Sequence, residues 1–194
     1  MSQNSLIRPE DESFVSRQTL ASLFDELVER SFEGALHMSD REVIAYVAEL
    51  LTRFTLVENL YAIRDATGKT LEDVGEMLIA SNPLLDAPSF EFEREVRKHI
   101  GDFTLFFAGL FPEAISRWRQ RRERLDALID YIRTGKESYY IVSEFNQFEY
   151  KSSAPFFKKM SEEFERCVFG LNLVKRDLQQ MQQSAYLRAK DLLT

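Results

Sequence analysis

Residues 90–111 read FEFEREVRKHIGDFTLFFAGLF. Phe92, Val96, Ile100, Phe103, Phe107 and Leu110 recur at steps of three and four, which places them on one stripe of an α-helix. Ser89 stands where a side-chain cap is wanted, and Pro112 suits the first turn of the helix that follows. The most apolar window, 103–111, is about half of the roughly 20 residues that a bilayer crossing requires, and Asp102 and Pro112 flank it. It reads as a buried segment near the centre of an all-α fold.

Upstream, Leu20, Leu23, Phe24, Leu27 and Val28 predict an amphipathic helix that Gly34 stops, and the polar, aperiodic residues 1–15 predict a loose tail. Ser39 and Glu42 have capping-box spacing, with Met38 and Val43 as the staple, ahead of a helix burying Val43, Ile44, Val47, Leu50, Leu51 and Phe54. A helical stretch from Leu56 through Ile63 to Gly68 follows. A short helix then opens at Thr70 and Asp73 and ends at Asn82-Pro83, before the loop 83–88.

Downstream of Pro112, Ile115, Trp118, Leu125, Ile129 and Ile132 predict a helix ending at Gly135. Tyr139 to Val142 favour strand by residue type, but Phe145 and Phe148 restore helical spacing and no partner strand exists, so helix is predicted. From Ser153 and Pro155, a last helix carries a heptad seam of Phe157, Met160, Phe164, Cys167, Leu171, Val174, Leu178 and Met181. The whole is a single-domain helical bundle of about seven or eight helices over 16–194, with a long C-terminal heptad helix.

Composition narrows function. The chain of 194 residues carries 25 Lys and Arg against 32 Asp and Glu, a net charge of −7, so nucleic acid and anionic membrane are disfavoured as partners. One Cys excludes an internal disulfide and cysteine-based zinc sites. The N-terminus lacks the basic start and apolar run of a secretory signal, which predicts a cytoplasmic location.

Several motifs fail on inspection. Thr67-Gly68-Lys69-Thr70 ends like a phosphate loop, but Ile63 stands where its first glycine belongs. The stretch 70–78 resembles the first helix of a helix-turn-helix, yet Pro83 and Pro88 obstruct a recognition helix. Glu95-x-x-x-His99 has the wrong spacing for a di-iron site and no second copy, and no Gly-x-Ser-x-Gly elbow exists. No metal site and no particular cofactor is predicted. Cys167 lies on the heptad seam and reads as a small core residue.

Two clusters stay open. Arg117, Arg119, Arg121, Arg122 and Arg124 crowd one segment, and Arg117, Arg121 and Arg124 share a stripe within about 60°. They form either an anion patch or a solvated face paired with acids such as Asp126 and Asp130, and the surplus of acids favours the latter. His99 lies between Glu95, one turn before it, and Asp102, nearly one turn after. Gly101, Ala108 and Gly109 leave the same helix bare enough for a backbone or a ligand to approach. Glu95, His99, Gly101 and Asp102 are the candidate ligand site, set against a plain helix contact with a satisfied histidine.

The segment Gly101 to Phe111, followed by Asp130-Tyr131, Gly135 and Tyr139, resembles a pattern of uncharacterised bacterial all-helical proteins over about 40 of the 194 residues. The resemblance implies a bacterial origin and a functional or packing role for this helix, and it transfers no activity.

Two functions follow as expectations. The first is a non-catalytic binding or scaffold protein acting through protein–protein contacts, since every catalytic motif fails. The alternative is a helical small-molecule or cofactor binder, or an enzyme, with a pocket near His99. Phe156, Val168 and Leu173 widen the apolar surface beside the seam, which predicts a homodimer through residues 157–181.

Overall fold

The computed structural model describes residues 9–65, 67–85, 87–116 and 121–181, with the backbone alone at 9–18, 116 and 121–127. Helix α5 (Phe90–Leu110) is the axis around which the rest is arranged. Ser89 caps it, its hydroxyl accepting from the Phe92 N–H at 3.1 Å. Every residue from His99 to Leu110 is buried, so this half of the helix is covered on all sides. The covering elements are α2 (Arg41–Arg53), α4 (Val74–Ala80), α6 (Pro112–Ser116), α7 (Arg121–Glu144) and α9 (Phe164–Gln180).

The remaining helices are α1 (Pro9–Glu29), the four-residue α3 (Val57–Leu60) and α8 (Ala154–Glu162). Among the described residues the fold is all-α, a single helical domain without strands. An isolated antiparallel bridge joins Arg64 and Thr70. No helix of the described residues is long and apolar enough to cross a membrane.

The structure departs from several local expectations. Helix α1 begins at Pro9, inside the stretch read as a tail, and continues through a π-helical turn, Arg30–Ala35, that seats Phe32 against Gly170. The cap of α2 is Asp40 rather than Ser39, because the Asp40 carboxylate accepts from the N–H groups of Glu42 and Val43 at 3.1 and 3.3 Å. Met38 and Val43 are nonetheless both buried. Gly68 is not the end of a helix. It takes φ +85° at the tip of a tight loop in which Asp65 Oδ1 accepts from the backbone of Thr67 and Lys69.

Gly135 does not stop α7 but lies inside it, where an added Cβ would strike Thr104 Oγ1 and the Phe164 ring. Its role is close helix approach. The C-terminal heptad stretch is helical from Ala154 to Gln180 with a one-residue turn at Glu163 between α8 and α9. Its seam from Phe157 to Leu178 is buried against the chain's own helices, and Val168 beside it is buried as well. Phe156 packs on Tyr46 and Phe157, with ring centroids 4.9 and 5.3 Å away. The surface offered for a second copy is therefore largely consumed within one chain, and Met181 is the seam residue left exposed.

Candidate functional site

The polar centre of the molecule is Asp102, whose side chain is 3% exposed. Gly101 makes the site possible, because an added Cβ there would lie 2.5 Å from Cδ1 and Cε1 of Tyr139. Without that Cβ the Tyr139 ring lies across α5, and its hydroxyl donates to Asp102 Oδ1 at 2.7 Å. The Tyr46 hydroxyl, from α2, donates to the same oxygen at 2.5 Å. The other oxygen, Oδ2, accepts from the Arg53 guanidinium and from Lys98 Nζ, each at 2.8 Å. One carboxylate thus ties α2, α5 and α7 together with four donors, which fills its acceptor capacity.

Electrostatics follow from this geometry. Burial alone would push the Asp102 carboxyl up, but the charges of Lys98 and Arg53, with the hydrogen bonds of Lys98 and Tyr46, outweigh it and hold the group below its ordinary 3.8. Burial and the Asp102 charge push both phenols well above their ordinary 10.0, so Tyr46 and Tyr139 stay protonated and donate. A carboxylate with no free lone pair is a poor general base, and phenols held this high are poor acids.

His99 belongs to a different environment. Its Nε2 lies 3.1 Å from the Leu60 carbonyl oxygen, which can only accept, so Nε2 carries the proton. The ring packs between Phe54 and Phe103, with centroids 5.8 and 6.1 Å away. Burial lowers its pKa below 6.5, against the opposing charge of Asp102. The imidazole is therefore expected to be neutral at pH 7 as the Nε2–H tautomer, which ring ¹⁵N shifts will report. A doubly protonated ring at pH 7 would contradict the assignment. His99→Leu should cost about 1 to 3 kcal/mol, because the buried Leu60 carbonyl then loses its donor.

Of the four residues singled out in the sequence, Gly101 and Asp102 come together in one cluster and His99 sits beside it with separate partners. Glu95 is exposed on α5, and its side chain makes no hydrogen bond or ion pair among the described residues. The bare positions are filled from within: the Tyr139 ring covers Gly101, and an added Cβ on Gly109 would strike Leu171.

By comparison with known proteins, the chain matches no family, no curated protein and no solved structure.

Sequence reasoning missed Tyr46, Arg53, Lys98 and Tyr139. Lys98 was within reach, one helical turn before Asp102, and Tyr139 stands in the pattern that carries the resemblance. Tyr46 and Arg53 lie seven residues apart on one face of α2, but nothing local in the sequence pairs that face with Asp102.

The other candidates offer less. Arg117 lies outside the described residues, and so do the side chains of Arg121 and Arg124, whose backbone forms the start of α7. No group of His, Cys, Asp and Glu able to hold a metal occurs among the described residues. Cys167 is buried, and that burial pushes its thiol up to about 12, so no thiolate is present near neutral pH. A cleft of about 280 Å³ at the α8–α9 turn is lined by His37, Asp40, Lys159, Glu163 and Arg166. Its charges pair with each other, Lys159 with Asp40 and Arg166 with Glu163, each at 2.6 Å.

Proposed function

We propose that this protein is a non-catalytic binding or scaffold protein of the bacterial cytoplasm, working through protein–protein contacts. The observation that carries the reading is where large apolar side chains reach water. Ile79, Leu84, Leu85 and Phe90 are all exposed within twelve residues around the loop joining α4 to α5, and Leu84 reaches 90%. Isolated exposed apolar residues are ordinary, but four so close in sequence form the kind of surface that partner proteins cover. The reading gains support from the interior, where the groups that could have done chemistry are engaged with one another.

The alternative, a small-molecule or cofactor pocket near His99, is not favoured. Side chains of this chain fill the space that Gly101 and Gly109 were read as leaving.

A photo-cross-linking residue placed at Leu84 in the native host should yield a discrete cross-linked product that Leu85→Ser with Phe90→Ser abolishes. The same residue placed at Lys158, exposed on α8, should not. No product from Leu84, or the same products from both positions, overturns the reading. A small molecule retained in native mass spectrometry by the wild type and lost in His99→Ala would favour the alternative instead.

A further inference from the structure

We propose that Lys98 and Arg53 form a binding site for a small oxyanion, a phosphate or a carboxylate, at the solvent-facing side of the Asp102 cluster. The inference does not depend on the apolar loop at 79–90.

The two cations converge on a single oxygen, Asp102 Oδ2, each at 2.8 Å, so their nitrogens are held no farther apart than twice that distance. Asp102 takes one donor of each cation. Exposure shows where their remaining donors lie: the Asp102 side chain is 3% exposed, while Arg53 and Lys98 are 30% and 27% exposed. The carboxylate thus lies beneath two cations that stand at the water boundary. Both its oxygens are fully occupied, whereas each cation keeps further N–H donors.

A third cation lies on the same face of the helix. Arg94 precedes Lys98 by one helical turn, so Arg94, Lys98 and Asp102 fall on one stripe of α5 at four-residue spacing. The Arg94 guanidinium lies over the rings of Tyr150 and Phe157, at 4.1 and 5.6 Å, and donates to Ser153 Oγ at 3.0 Å. Its Nε is buried with no hydrogen-bond partner among the described residues. Besides Asp102, the charge of Glu49 reaches Arg53 and that of Glu149 reaches Arg94, and neither of these two acids forms an ion pair with them among the described residues. Aromatic faces flank the cations: Lys98 Nζ is 5.4 Å from the Tyr46 ring centroid and the Arg53 guanidinium 5.6 Å from that of Phe54. Two fixed cationic donors beside apolar walls are what a phosphate or carboxylate group requires, because the guanidinium fork and the ammonium can each take one of its oxygens. The buried carboxylate aims both donors in advance of binding, so little ordering is left to the ligand.

Side-chain nitrogen resonances of Lys98 and Arg53 provide the test, followed during separate titrations with inorganic phosphate and with acetate at constant ionic strength. Both signals should shift and saturate with at least one of these anions below about 10 mM, and the arm that saturates first identifies the anion class. The Lys136 signal, from a surface lysine paired with Glu165, should not saturate. Lys98→Gln and Arg53→Gln should each weaken binding by roughly tenfold or more. Shifts that stay linear in both anions, or that match those of Lys136, overturn the proposal. So does unchanged affinity in a folded Lys98→Gln. If both variants fail to fold, the wild-type titrations decide.

Discussion

Gly101→Ala should destabilise the protein by about 3 to 5 kcal/mol, although helix propensity alone predicts the opposite sign. In an exposed helix interior the change from glycine to alanine stabilises by about 0.5 to 1 kcal/mol. Here the new methyl would lie 2.5 Å from two carbons of the Tyr139 ring, well inside van der Waals contact. The ring belongs to a buried residue packed against Phe157 and Phe164, with centroids 5.8 Å away in both cases, so it has little room to retreat. Overpacking of this kind costs about 1 to 3 kcal/mol. Moving the ring also draws its hydroxyl off Asp102 Oδ1, and a buried hydrogen bond to a charged group contributes about 1.5 to 3 kcal/mol.

Urea unfolding of four proteins isolates the contact: wild type, Gly101→Ala, Tyr139→Leu and the double variant. In the Tyr139→Leu background the ring is gone, and Gly101→Ala should then cost less than about 1 kcal/mol. If the two losses simply add, Gly101 and Tyr139 do not meet and the account of the cluster fails.

The contrast between Gly101 and Gly135 shows what a linear reading can and cannot extract. Gly135 stands near the end of a helical pattern, where a glycine is a fair sign of a C-cap, whereas Gly101 lies inside one and reads as room for a backbone or a ligand. Each is a point of helix contact, Gly101 under Tyr139 and Gly135 under Thr104 and Phe164, and the contacting residue lies on another helix. Periodicity carries the facing direction of one helix, not the identity of its neighbour. The central helix was legible because all its signals are local: the Ser89 cap, the stripe from Phe92 to Leu110 and the stop before Pro112. The seam from Phe157 to Leu178 was legible as an apolar stripe for the same reason. Whether it packed within the chain or against a copy depended on residues such as Tyr46, far away in sequence.

The Asp102 cluster suffers from the same separation. Tyr46, Arg53 and Tyr139 are 56, 49 and 37 residues from Asp102, and only Lys98 is within one turn. Asp102 itself stood out as an acid at the edge of an apolar run, which is a local signal. The sequence pairs it with His99, its neighbour along the helix. The fold sends the two side chains to different partners, His99 to Leu60 and Asp102 to α2 and α7. The capping error at Ser39 is smaller in kind. Ser39 and Asp40 are adjacent and both competent, and only the backbone path decides which one reaches the first free N–H groups.

Asp102→Ala should cost about 3 to 5 kcal/mol at neutral pH, since it leaves two cations, one buried phenol and one half-buried phenol facing one another without an acceptor. The pH dependence says which force governs the carboxylate. Its folded pKa lies below the ordinary 3.8, so its contribution is fully present above that value and is lost as pH falls from 3.8 through the folded pKa. His99, with a folded pKa below 6.5, adds a separate loss that begins as pH falls below 6.5, where the unfolded imidazole takes up a proton and the buried one resists. Unfolding free energies of wild type and Asp102→Asn, measured from pH 8 to pH 2.5, separate the two. The isosteric amide cannot ionise, and it also withdraws from His99 the negative charge that raises its pKa, so His99 resists protonation more in the variant. The stability gap between them should therefore be constant from pH 8 to about 6.5, widen slightly below that, and narrow only below about 4. A gap that already closes between pH 7 and 5 would mean that burial, not Lys98 and Arg53, controls the carboxyl. The two cations would then be too weakly coupled to Asp102 to be fixed by it, and the oxyanion site would lose its preorganisation.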